Sequence, residues 1–121
     1  MKIYLAGPMR GYKNFNFPAF DYAAGKLRGK GHDVFSPAER DREVYGDGLE
    51  QNEKGDEHVA ASNHGFSLRE ALQADMDWIC EFADTIALLP GWEKSTGANA
   101  EKALGDALGL TIMILGREYV Q

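Results

Sequence analysis

The chain has 121 residues, with 13 Lys plus Arg against 19 Asp plus Glu and a formal net charge of −6. That length suits one domain able to bury its own core, and an acidic chain without a basic run is poorly matched to a nucleic-acid backbone. The single cysteine, Cys80, excludes a disulfide framework within the chain, and no apolar stretch nears the roughly 18 residues that cross a bilayer.

Lys2 to Ala6 reads as a short buried strand ending at Gly7-Pro8-Met9-Arg10-Gly11. The chain enters this strand at once, so no signal peptide and a reducing, cytoplasmic compartment are expected. Phe17 to Lys30 reads as a helix, with Pro18 in its first turn and Phe20, Ala23, Ala24 and Leu27 at helical spacing. Asp33-Val34-Phe35 is a second strand, stopped by Ser36-Pro37. From Arg40 to Gly65 the chain is polar and weakly periodic; it reads as a long loop or lid, with room for a short helix. Ser67-Leu68-Arg69-Glu70 has the form of a capping box and opens a helix to about Glu81. Ala83 to Leu89 is a buried strand, and Pro90 to Gly97 a turn-rich loop. Ala98 to Gly109 is a helix stopped by its last glycine, and Leu110 to Leu115 the last strand.

Strands that are continuous apolar runs, alternating with helices, predict a doubly wound α/β fold. The expected architecture is a Rossmann-like or flavodoxin-like parallel sheet of about four to five strands with helices on both faces. Ligands bind such sheets at the carboxyl ends of the strands, here Gly7 to Gly11, Ser36-Pro37 and Pro90 to Gly97.

Two carboxylates sit where carboxylates are rarely placed. On a helical wheel Leu68, Ala71, Leu72, Ile79 and Phe82 form one stripe, with Asp75 in its middle and Glu70, Asp77 and Glu81 opposite. A carboxylate on an apolar stripe is either a buried cap for a neighbouring loop or a group aimed into a cleft, where desolvation tunes its pKa. Glu101 lies on the flank of a side marked by Ala100, Leu104, Ala107 and Leu108, near a helix N-terminus whose dipole favours its ionised form. An ordinary first-turn Glu is the competing reading. The loops Ala6 to Gly11 and Ser95-Thr96-Gly97-Ala98 offer backbone N–H groups, a hydroxyl and an arginine suited to a phosphate, or they are two structural turns. Neither is a Walker A loop or a dinucleotide fingerprint. His32, His58 and His64 lack metal-ligand spacing, so no metal is expected. Phe15, Phe17, Phe20 and Tyr22 read as packing, and Trp92 is the better of the two tryptophans for stacking a base.

Three segments together resemble the nucleoside 2-deoxyribosyltransferase-like superfamily, with 2′-deoxynucleoside 5′-monophosphate N-glycosidases and small, often phage-encoded relatives as the nearest branches. They are Ile3 to Gly11, then Ala74 to Ile79 with Ala83-Asp84, then Ser95 to Glu101. The resemblance implies Glu101 as nucleophile at the anomeric carbon, Asp75 as the group assisting proton transfer to the leaving base, and Tyr4 as the residue orienting Glu101. It implies that Gly7, Arg10, Gly11, Ser95 and Gly97 hold a 5′-phosphate. Met9, Asp84 and Trp92 are further candidates for substrate binding. No cofactor, no polynucleotide and no membrane are expected, and a homodimer or larger homo-oligomer is. Pro8 stands where the characterised hydrolases carry a smaller hydroxyl residue, removing one N–H and one hydroxyl donor from the phosphate loop. The leading expectation is hydrolysis, or transfer, of the N-glycosidic bond of a (deoxy)nucleoside 5′-monophosphate. A non-catalytic protein that binds or sequesters a nucleotide, and an interaction protein working through the Arg40 to Gly65 segment, are the alternatives.

Overall fold

The apolar runs form four parallel strands, β1 (Lys2–Ala6), β2 (Asp33–Phe35), β3 (Thr85–Leu88) and β4 (Thr111–Ile114), in the order β2-β1-β3-β4. The computed structural model describes every residue from Met1 to Gln121. Tyr4 of β1 stands level with Phe35 of β2 on one side and Ile86 of β3 on the other. The chain thus turns one way after β1 and the other way after β2, which opens a crevice above the carboxyl ends of β1 and β3.

Five helices cover the sheet: α1 (Phe17–Gly29), α2 (Pro37–Tyr45), α3 (Glu57–His64), α4 (Leu68–Glu81) and α5 (Thr96–Leu108). Successive strand residues point to opposite faces. Ile3, Leu5 and Ala87 therefore pack with Phe17, Phe20 and Leu27 of α1. Tyr4, Ala6, Ile86 and Leu88 pack with Ile79 of α4 and Ala98 of α5. Burying a side chain such as Phe20 or Leu27 completely contributes roughly 1.5–3 kcal/mol. The doubly wound α/β architecture expected from the strand runs is the one observed. No helix is long and apolar enough to cross a membrane.

The segment from Arg40 to Gly65 differs from its expectation. It contains most of α2 and all of α3. Ser36-Pro37, read as a stop, is a start: Ser36 is the N-cap and Pro37 the first residue of α2, where a missing N–H costs nothing. Gly46 at φ +101 ends that helix. The N-terminus of α4 is half a capping box, since Ser67 Oγ accepts the Glu70 N–H at 3.3 Å while Glu70 Oε2 accepts from Tyr45 Oη at 3.4 Å. Phe82, assigned to the buried stripe of α4, is its C-cap and 49% exposed.

The buried side of α5 is also rotated from its predicted position. Ala98, Glu101 and Gly105 face the sheet, while Ala100, Ala107 and Leu108 are exposed. Close approach decides this phase: a Cβ at Gly105 would lie 2.5 Å from Ile86 Cγ1. Glu101 is therefore central to the buried side. β4 is an edge strand and only partly buried, unlike β1 and β3.

Candidate active site

β1 and β3 approach each other at Gly7, where an added Cβ would lie 2.8 Å from Leu89 Cβ. Beyond it the chain makes a turn of three left-handed, non-glycine residues, Asn14, Phe15 and Asn16, at φ 53, 53 and 62. Such conformations cost about 1 kcal/mol or more apiece and persist only where surrounding contacts hold them. Asn16 Nδ2 donates to the Pro8 carbonyl at 3.0 Å, and the Asn14 N–H to the Asn52 carbonyl at 2.7 Å. The Gly11 N–H donates to the Gly55 carbonyl at 2.9 Å. The segment between α2 and α3 is thereby fastened to the β1 loop.

These elements enclose a cavity of about 300 Å³ at the carboxyl ends of the strands. Phe15, Phe17, Leu49, Phe66 and Leu72 supply an apolar wall. Asp41, Asp75, Glu101 and the first turn of α5 supply the polar part. There Ser95 Oγ caps the Ala98 N–H at 3.1 Å, while the first two helical residues, Thr96 and Gly97, precede any intrahelical donor.

Asp41, Asp75 and Glu101 are the only buried charged residues, each 5% exposed. Tyr4, fully buried in β1, donates its hydroxyl to Glu101 Oε2 at 2.5 Å. Asp75 Oδ1 is sealed from solvent and has no hydrogen-bond partner. Burial pushes the Asp75 carboxyl up to about 7, helped by the charge of Asp41 and opposed by the Tyr4 hydroxyl. Burial pushes Glu101 up to about 8, with the Tyr4 hydroxyl opposing and the charges of Asp75 and Asp41 adding to the rise. Desolvation, then the adjacent Glu101 charge, raises Tyr4 well above its ordinary value, so it stays a donor. Asp41 is pushed up to about 6 by burial, against the pull of Arg40. The protons of such a cluster belong to the group as a whole. A phenol has one proton to give, and giving it to Glu101 favours the ionised form of that carboxylate.

Of the residues singled out in the sequence, Gly7, Met9, Arg10, Asp75, Ser95, Gly97 and Glu101 line this cavity, and Tyr4 reaches it through Glu101. Three others stand elsewhere. Gly11 commits its N–H to Gly55 and is not part of the wall. Trp92 packs against the core under α4 and α5, with Lys102 Nζ 5.9 Å from its ring, and does not line the cavity. Asp84 stands at the opposite, amino-terminal end of the sheet. It accepts the Lys2 N–H at 3.0 Å and the Thr85 hydroxyl at 2.9 Å, which makes it a link between strand starts. Arg10 is held by Glu57 of α3, Nη1 to Oε1 at 3.2 Å.

The sequence reading missed Asp41, Lys94 and the aromatic wall. The signal for Asp41 was present: Ser36-Pro37 starts a helix, and Asp41 follows Pro37 at the four-residue spacing that shares a face. Phe15 and Phe17 are packing residues as expected, and they line the cavity as well.

The family model described as a domain of unknown function, DUF4406, matches residues 1–114, and the chain belongs to that family. No curated protein and no solved structure matches it.

Proposed function

We propose that this cavity is the active site of a nucleoside 2-deoxyribosyltransferase-like enzyme that cleaves the N-glycosidic bond of a (deoxy)nucleoside 5′-monophosphate. The observation that carries this reading is the buried Tyr4–Glu101–Asp75 unit opening onto a partly aromatic cavity at the switch point of the sheet. Ionised Glu101 attacks the anomeric carbon as the bond from that carbon to the base nitrogen breaks. The base leaves with the bonding electron pair and takes the proton held by Asp75. A water then gives a proton back to Asp75 and adds to the anomeric carbon, releasing Glu101 and the sugar phosphate. A second base in place of that water gives transfer. Tyr4 carries no bond-making role; it keeps Glu101 oriented and ionised.

The 5′-phosphate would rest on the first turn of α5, with Ser95, Gly97 and Lys94, and would compete with Glu57 for Arg10. A cytoplasmic homo-oligomer completes the reading. Leu108 and Ile114, 47% and 60% exposed, offer it apolar surface on α5 and β4.

The test is release of free base, followed by chromatography, from ribo- and deoxynucleotides and their nucleosides. Wild type should release base, and Glu101→Ala should fall at least roughly a thousandfold while still binding nucleotide. Equal turnover by both proteins would overturn the assignment. Saturable nucleotide binding without any product would favour a nucleotide-sequestering protein.

A further inference from the structure

Asp41 has no structural work that explains its burial. It lies on α2 one turn beyond Pro37, both line the cavity, and it is 5% exposed. Its only hydrogen bond comes from Arg40 Nη1 to Oδ1, at a long 3.4 Å. Arg40 is itself spread over the Tyr45 ring at 5.6 Å. Oδ2 accepts nothing from the protein. A nearly buried carboxylate costs stability unless partners replace its water, and with one long contact on Oδ1 the other oxygen is left free to take a donor from whatever occupies the cavity that Asp41 lines.

Position and shape indicate which part of a ligand. Asp41, Asp75 and Glu101 line one cavity of about 300 Å³, so a single small molecule seated at the Asp75–Glu101 pair comes within reach of Asp41. The cavity is otherwise walled by Phe15, Phe17, Leu49, Phe66 and Leu72, which suit a flat ring. If the anomeric carbon is at Glu101 and the leaving nitrogen at Asp75, what remains in the cavity is the far edge of the base. We propose that Asp41 reads that edge by accepting an N–H of an exocyclic amino group, so that the substrates are nucleotides of amino-bearing bases. The inference rests on the glycosidase reading for the direction in which the ligand lies. An ionised carboxylate accepts from the amino group of cytosine or adenine. Opposed to the carbonyl of uracil or hypoxanthine it meets lone pairs at that atom, and it gains a donor only if the base shifts to bring the neighbouring ring N–H into reach.

Calorimetric titration of wild type, Asp41→Asn and Asp41→Ala with two matched pairs tests this: dCMP against dUMP, and dAMP against dIMP. Wild type should bind the amino member of at least one pair about ten- to a hundredfold more tightly than its partner, the range for hydrogen bonds to a charged group. Asp41→Asn keeps the shape, and its amide can accept or donate, so its preference should shrink to within about threefold. Asp41→Ala should lose the preference also. A wild type that discriminates within neither pair, including one that binds none of the four, overturns the proposal. So does an Asp41→Asn protein that keeps the wild-type ratio. Base release is scored separately. Discrimination without release would remove the glycosidase reading and leave Asp41 as the base reader, whereas release without discrimination would do the reverse.

Discussion

Asp84 and Asp75 stand at opposite ends of one sheet, in opposite surroundings. Asp84 is exposed, and the Lys2 N–H, then the Thr85 hydroxyl, hold its carboxyl below the usual carboxylate range. Asp75 is buried with one oxygen unpartnered, and its carboxyl is pushed up to about 7. Where a carboxylate serves the fold, the chain supplies donors. At Asp75 Oδ1, inside the cavity, the chain withholds them and spends stability to do so.

The largest expected effect separates these two roles. Asp75→Asn should lower base release by about 10²- to 10⁴-fold, the usual worth of a positioned proton donor, whereas Asp84→Asn should leave turnover within about twofold and cost under about 1 kcal/mol in denaturant unfolding. Comparable losses of activity in both variants would break the contrast. Next is Tyr4→Phe. It should lower kcat by roughly ten- to a hundredfold with little change in KM, and move the acid limb of the pH–rate profile upward, because Glu101 loses the donor that favours its ionised form. A simple packing role would leave that limb in place.

The smallest effect concerns stability against pH. Asp41, Asp75 and Glu101 have folded pKa values of about 6, 7 and 8, above their ordinary values of 3.8, 3.8 and 4.5. Between the ordinary and the folded values the native state binds more protons than the unfolded one, so stability falls as pH rises. The thermal midpoint should drop between about pH 5 and pH 8. Glu101→Gln, which removes one of the three ionisations, should flatten that slope and raise the midpoint at pH 8 by about 5 °C. A slope unchanged in the variant would show that Glu101 is not one of the groups causing it.

Much of this was legible beforehand, and the failures have physical causes. β1 and β3 are buried on both faces and read as plain apolar runs. Asp75 stood out because α4 has a clear apolar stripe to interrupt. α5 misled because its contact with the sheet is made by Ala98 and Gly105, whose smallness carries the packing while larger apolar residues face outward. α2 and α3 were unreadable by periodicity: their cores are a few small residues, among them Ala38 and Ala60, and loop contacts hold the rest. Asp41 was lost with them.

The fastening of the α2–α3 segment to the β1 loop has a kinetic consequence. Leu49 and Phe66 reach the cavity from either side of that fastening, and no strand pairing passes through it. The amide hydrogens of Gly11 and Asn14, held by loop carbonyls and outside any strand ladder, should therefore exchange with solvent sooner than those of β1 and β3.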